Sequence, residues 1–160
     1  MTQTSTTSEP GARIALFPGS FRPFTRGHAD IVERGLAMFD RIIIAIGVNA
    51  SKPSADAEAS ADAIRHLYRN EPRIEVAVYS CLTVDFAASR GARFLLRGVR
   101  SVKDFEYERD MADINRQLSG IESVILFSRP ELAAISSSVV RELETFGRDT
   151  TPFLPQAYKK

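Results

Sequence analysis

The stretch Ile42-Ile-Ile-Ala-Ile-Gly-Val48 decides the fold. It is nearly all apolar and rich in β-branched side chains, which favour a strand. Apolar and polar residues do not alternate along it, so the strand expects cover on both faces, as in a parallel sheet. On its N-terminal side, Ile31, Val32, Gly35, Leu36 and Phe39 recur at helical spacing and predict a helix from about Gly27 to Met38. Before that helix, Arg13-Ile-Ala-Leu-Phe17 reads as a buried strand that ends at a Pro18-Gly19 turn.

Beyond the central run the same alternation continues. Asn49 to Ala55 reads as a loop, and Ala57 to Arg69 is Ala-rich and helical by propensity. Ile74 to Tyr79 is a strand, and Leu82 to Arg90 a short helix stopped by Gly91. Arg93 to Leu96 is a strand leading into a loop at Arg97 to Arg100. A helix over Asp104 to Leu118 closes at Gly120, a strand follows at Ser123 to Phe127, and a last helix runs from Ser137 to Phe146. Thr151 to Lys160 looks irregular. Strands alternating with helices predict an α/β fold, a Rossmann-like five-stranded parallel sheet with helices on both faces. Ligands of such sheets bind beyond the carboxyl ends of the strands.

Composition bounds the function. The chain has 160 residues, 44% of them hydrophobic and 26% charged, which suits one globular domain. Residues 1–12 read as a flexible Thr- and Ser-rich tail, and residues 13–160 as a single domain. A formal net charge of +1 argues against a broadly basic nucleic-acid binder. No run of 18 apolar residues suggests a membrane span, no secretion signal is evident, and a cytoplasmic location is expected. The lone Cys81 reads as a small buried hydrophobe, His66 as structural or exposed, and no Cys/His spacing predicts a metal site.

Three segments follow predicted strands and carry possible chemistry. In Phe17-Pro-Gly-Ser-Phe-Arg-Pro-Phe-Thr-Arg-Gly-His28, neither G-x-G-x-x-G nor G-x-x-x-x-G-K-[ST] is present, which disfavours a dinucleotide oxidoreductase and a P-loop NTPase. Instead Thr25-x-Gly-His28 opens a helix, whose unpaired N–H groups attract phosphate. Thr25 as a plain cap with a solvated His28 is the bland alternative. In Arg97-Gly-Val-Arg100, two guanidinium forks around a glycine suit phosphate oxygens, against the alternative of a solvated charged loop. Ile135-Ser-Ser-Ser138 caps a helix and would present hydroxyls and amides to a triphosphate.

Together these segments resemble the nucleotidyltransferase superfamily marked by a Thr/His-x-Gly-His motif, and within it the bacterial phosphopantetheine adenylyltransferase family. Arg97-Gly-Val-Arg100 followed by Asp104-Phe-Glu-Tyr-Glu108 is the most specific part of the likeness, which runs from about Arg13 to Pro155. The resemblance implies transfer of an adenylyl group from ATP to phosphopantetheine, with magnesium, in a cytoplasmic homo-oligomer, a hexamer in relatives. It implies His28 as the catalytic residue. It assigns Ser20, Phe21, His28, Gly98, Val99, Arg100, Glu108 and the stretch Leu132-Ala133-Ala134-Ile135-Ser136-Ser137-Ser138 to ATP. It assigns Ser20, Lys52, Thr83 and Arg97 to phosphopantetheine, and no residue to a metal. Two departures stand out. Arg22 occupies a position that is usually Asp, and the stretch from Pro53 to Ala63 lacks the usual aromatic residue. They motivate an alternative, a nucleotide-binding protein of weakened activity; a sister nucleotidyltransferase with another acceptor is the second.

Overall fold

The computed structural model describes residues 10–49 and 53–156. The run around Ile42 forms the second of five parallel strands: β1 (Ile14–Gly19), β2 (Arg41–Gly47), β3 (Ile74–Tyr79), β4 (Phe94–Val99) and β5 (Glu122–Phe127). They lie in the order β3-β2-β1-β4-β5. The helices are α1 (Arg26–Gly35), α2 (Ser54–Leu67), α3 (Thr83–Ser89), α4 (Val102–Ser119) and α5 (Ser137–Thr145). Alternate strand residues feed two cores. Ala15, Phe17, Ile42, Ile44 and Leu96 pack with Ile31 and Val32 of α1 and Ala61 and Ile64 of α2. Ile14, Leu16, Ile43, Ala45 and Leu95 pack with Val84, Phe86 and Ala87 of α3. Burial on both faces is why β2 shows no polar alternation.

The strand order creates the site. The chain steps from β1 outward to β3, then returns to place β4 on the other side of β1. A crevice therefore opens at the carboxyl ends of β1 and β4, where the order reverses. Two of the expected strands are longer there than their local sequence suggests. Pro18 and Gly19 belong to β1 rather than to a turn, paired in register with Ala45 and Ile46 of β2. β4 pairs with β1 only at Ala15 and Leu16, so beyond them β1 has one ladder partner and the missing Pro18 N–H is tolerated. Arg97, Gly98 and Val99 are likewise strand, not loop, because Ile125, Leu126 and Phe127 of β5 continue the ladder beside them.

Other expectations are corrected as well. α1 ends at Gly35, earlier than Met38, and α2 spans Ser54–Leu67 rather than Ala57 to Arg69. α4 starts at Val102 because the Ser101 side chain caps it, accepting from the Asp104 N–H at 3.2 Å. Cys81 is exposed in the β3–α3 connection, not buried. Of the expected tail, Ala12 packs against the second core, while residues 1–9 lie outside the described residues. Among the described residues no helix is long and apolar enough to cross a membrane.

Candidate active site

Two cavities meet at the β1–β4 crevice. The first, of about 350 Å³, is lined by Pro18 to Phe21, Thr25, Gly27, His28, Arg97, Gly98, Arg100, Ile135 to Ser138 and Arg141. The second, of about 310 Å³, is lined by Pro18 to Ser20, Gly47, Asn49, Tyr79, Leu82, Thr83 and Arg97, and by Tyr107, Glu108, Met111 and Asn115 of α4. Pro18, Gly19, Ser20 and Arg97 belong to both.

The first cavity is built to receive an anion. It is lined by three arginines, Arg97, Arg100 and Arg141, and by no carboxylate among the described residues. The N-termini of α1 and α5 both open onto it, through Thr25 to His28 and Ser136 to Ser138. α5 is tied to the β1–α1 turn: Ser137 Oγ donates to the Pro23 carbonyl at 2.8 Å and Arg141 Nη1 to the Arg22 carbonyl at 2.6 Å. Gly27 has room for a Cβ, whose nearest protein atoms would be 3.5 and 3.9 Å away. Its smallness therefore serves whatever enters the cavity rather than the packing. Gly19 differs, because a Cβ there would meet the Phe21 ring at 2.7 Å. Phe21 itself holds a left-handed φ of +46°, a strained backbone for an aromatic residue, and its ring folds back over Gly19.

Thr25 and His28 form a reciprocal cap. The His28 N–H reaches Thr25 Oγ1 at 3.5 Å, and the Thr25 N–H donates to His28 Nδ1 at 2.9 Å. Capping and a role in the cavity are thus compatible, and the half-buried His28 is not the solvated residue of the bland reading. An N–H donor at Nδ1 requires a lone pair there, so the neutral ring carries its proton on Nε2. Burial, and after it the cations Arg100 and Arg97, push the imidazole down from 6.5 to about 4. At neutral pH the cavity therefore contains an uncharged imidazole with one N–H to donate.

Arg97 occupies the shared wall. Its Nε and Nη2 donate to Glu108 Oε2 and Oε1 at 2.8 and 2.7 Å, and Nη1 donates to the Pro18 carbonyl at 2.7 Å. This bidentate pair fixes a cation between the cavities. Glu108 lies on the second cavity, not the first. Thr83 does not cap α3, whose N-cap is Leu82; its hydroxyl lies 2.9 Å from that of Tyr79.

The remaining expected residues divide. Ser20, Phe21, Gly98, Arg100 and Ile135 to Ser138 line the first cavity. Val99 is buried beside it, and Leu132, Ala133 and Ala134 precede the α5 turn without lining it. Lys52 lies outside the described residues. Arg22 lines neither cavity. Several residues escaped the sequence reading. Arg141 stands four residues after Ser137, on the same helix face as the cap, and Tyr107, Met111 and Asn115 repeat every four residues along α4. Those spacings were the available signal.

Residues 16–143 match the family described as cytidylyltransferase-like. The phosphopantetheine adenylyltransferase of Porphyromonas gingivalis is 56% identical over 146 residues, covering 91% of this chain and 95% of that one. Its counterpart from Phocaeicola vulgatus is 50% identical over 148 residues, covering 92% and 98%. Among solved structures, a bifunctional NMN adenylyltransferase/ADP ribose pyrophosphatase from Francisella tularensis, complexed with AMP and a Mn ion, superposes with a TM-score of 0.63 at 11% identity. That likeness is one of fold; it covers 89% of this chain, which spans 44% of the solved one.

Proposed function

The chain belongs to the cytidylyltransferase-like family and, within it, to the phosphopantetheine adenylyltransferases, and on that premise we propose that it transfers the adenylyl group of ATP to phosphopantetheine, giving dephospho-coenzyme A and pyrophosphate in coenzyme A biosynthesis. The observation that carries this reading is the pair of cavities joined at Pro18 to Ser20 and Arg97. A two-substrate transfer needs two sites with one common boundary. The arginine-rich cavity suits the triphosphate. The second cavity, with its Tyr79–Thr83 hydroxyl pair and the α4 side chains, suits the pantetheine arm.

In this reading a phosphate oxygen of the acceptor attacks the α-phosphorus of ATP across the shared wall. The bond from that phosphorus to the β-phosphate bridging oxygen breaks, and pyrophosphate leaves. The acceptor phosphate is already ionised, so no strong general base is required. His28 donates its Nε2–H to the α-phosphate as charge develops. Remaining neutral, it keeps a fixed tautomer throughout. Arg97 holds the acceptor phosphate at the boundary with Ser20, and we assign Lys52, outside the described residues, to the same phosphate. Arg100, Arg141 and the Ser136 to Ser138 turn hold ATP with Phe21 and Gly98, while Glu108, on the second cavity, acts through Arg97. Positioning and electrostatics supply the acceleration, with no covalent enzyme intermediate.

Among the described residues no cluster of three or more His, Cys, Asp or Glu could hold a metal. Magnesium would arrive on the triphosphate as part of the substrate and would neutralise the leaving group. We place the activity in the cytoplasm, in residues 13–160 acting as one domain, and in a homohexamer. Exposed Val102, Tyr107, Ile114 and Leu118 on α4, with Phe127, support association of copies.

The test is pyrophosphate release from MgATP with and without phosphopantetheine. Acceptor-dependent release is expected, and His28→Ala is expected to lower turnover by about 10²–10³ with the fold intact. ATP binding without release would instead favour the weakened binder, and release with another acceptor the sister activity.

A further inference from the structure

His28 sits in a collar of three phenylalanines. Phe17 of β1 and Phe21 meet its ring edge-on, with centroids 6.3 and 5.0 Å away and interplanar angles of 60° and 84°. Phe24 lies more nearly flat against it, at 5.4 Å and 30°. All three are buried, and Phe21 touches both of the others at 5.3 and 5.2 Å. Phe17 and Phe21 line the cavity assigned to ATP, whereas Phe24 lines neither substrate cavity. Its other side faces α2. There it meets Tyr68 edge-on at 6.2 Å and borders an apolar cavity of about 530 Å³ with Ala59, Ala63, Ile64 and Leu67. The small residues of α2 leave that space open, and the Phe24 and Phe21 rings, which both line it, lie between it and the imidazole.

We propose that Phe24 is a positioning residue for the adenylyl transfer: its ring, braced by Phe21 and Tyr68, holds the His28 imidazole with Nδ1 on the Thr25 N–H and Nε2–H toward the nucleotide. The inference rests on His28 being the donor to the α-phosphate. A flat neighbour and an edge-on neighbour together restrict rotation of the ring, which a single wall would not. The collar also excludes water, and exclusion keeps the ring neutral. The cations Arg100 and Arg97 at the end of β4 act in the same direction, and Arg141 of α5 lines the same cavity. The groups on the α2 side are the Tyr68 phenol, behind Phe24, and the exposed His66 on the far cavity. Protonation at Nδ1 would take the lone pair from the Thr25 N–H and undo the cap. Truncating Phe24 opens the path from the α2 cavity to the ring while leaving all three arginines in place.

The experiment is nitrogen-detected NMR of the imidazoles against pH, paired with kinetics, in the wild type, Phe24→Ala and Phe24→Leu. The chain has 2 histidines, so the His28 signals are identified by their loss in His28→Gln. The wild type is expected to show His28 as a single Nε2–H tautomer from pH 8 down to about 5. In Phe24→Ala the tautomers should mix, and the His28 midpoint should rise by about one pH unit as water enters. Turnover should fall about tenfold or more with the KM for ATP within about threefold, and Phe24→Leu should recover most of it. An unchanged His28 tautomer and midpoint in Phe24→Ala would overturn the proposal, even if stability or turnover fell. Should Phe24→Ala fail to fold, Phe24→Leu and Phe24→Met give the same readout at smaller amplitude, and an unshifted His28 in both overturns it. Normal turnover in His28→Ala alongside a shifted imidazole in Phe24→Ala would instead remove the donor role on which the inference rests.

Discussion

Replacing Glu108 with Gln removes the charge that anchors Arg97 in the wall between the two cavities. The side chain keeps its volume and one acceptor. The second oxygen, however, becomes an NH₂ group facing an Arg97 N–H that now donates at 2.7–2.8 Å. One charge-assisted hydrogen bond is lost, a contribution of about 1.5–3 kcal/mol, and a donor meets a donor in its place. Breaking a fully buried ion pair costs about 3–5 kcal/mol. Glu108 is 8% exposed but the Arg97 side chain is 31% exposed, so water takes over part of the guanidinium's demand. The expected loss is about 2 kcal/mol, which for a chain of this size lowers the melting temperature by about 4–8 °C. Released from Glu108, Arg97 keeps only the Pro18 carbonyl and samples other rotamers. Because it lines both cavities, KM should rise for both substrates, by about fivefold each for about 1 kcal/mol of lost positioning. Thermal denaturation followed by circular dichroism reads the first quantity, and pyrophosphate release with each substrate varied in turn reads the second. An unchanged melting temperature with an unchanged KM for phosphopantetheine would refute the reasoning. A rise in KM for ATP alone would mean that Glu108 meets the nucleotide directly instead of acting through Arg97.

Three further outcomes are expected. Gly98→Ala places a Cβ 2.9 Å from Ile31 Cγ1 and 3.1 Å from Cδ1, so either the Ile31 side chain re-orients or α1 shifts and carries His28 with it. A stability loss of about 1–3 kcal/mol by urea titration is expected, and unaltered stability would show that Ile31 re-orients freely. His28, lowered from 6.5 to about 4, gains its proton in the unfolded chain first as pH falls. Its contribution is therefore present above pH 6.5 and lost by about pH 4, roughly 3 kcal/mol in all, so His28→Gln should flatten the stability curve across that window. A slope that persists in His28→Gln would assign the acid sensitivity to other groups. If magnesium arrives with the triphosphate, chelation of divalent ions should abolish pyrophosphate release while leaving the melting temperature of the nucleotide-free protein unchanged; a lowered melting temperature would reveal a structural metal.

Much of the architecture is legible locally. The unbroken apolar run at Ile42 announces a strand buried on both faces, and the Ala-rich and capped segments announce their helices. Both signals depend on side chains acting within one element. The strand ends are different. Pro18, Gly19, Arg97 and Gly98 have the composition of turns and loops, yet they continue β1 and β4 because β2 and β5 offer ladder partners beside them. Cys81 has a buried residue's chemistry but lies in a connection at the surface, where no element covers it.

The same division holds at the site. The Thr25-x-Gly-His28 segment, the two arginines around Gly98 and the Ser136 to Ser138 cap are contiguous motifs, so their residues, charges and caps are legible in the sequence by itself. What they become in combination depends on the order of the strands. Only the reversal at β1 and β4 brings Arg97 against Pro18, far away in the chain, and joins two cavities along that contact. Only the packing of Phe17, Phe21 and Phe24 surrounds the imidazole, and desolvation, ahead of Arg100 and Arg97, lowers its pKa. Helix caps act over a few residues and are written in neighbouring letters. Burial, and the charges it brings together, exist only once distant segments have met.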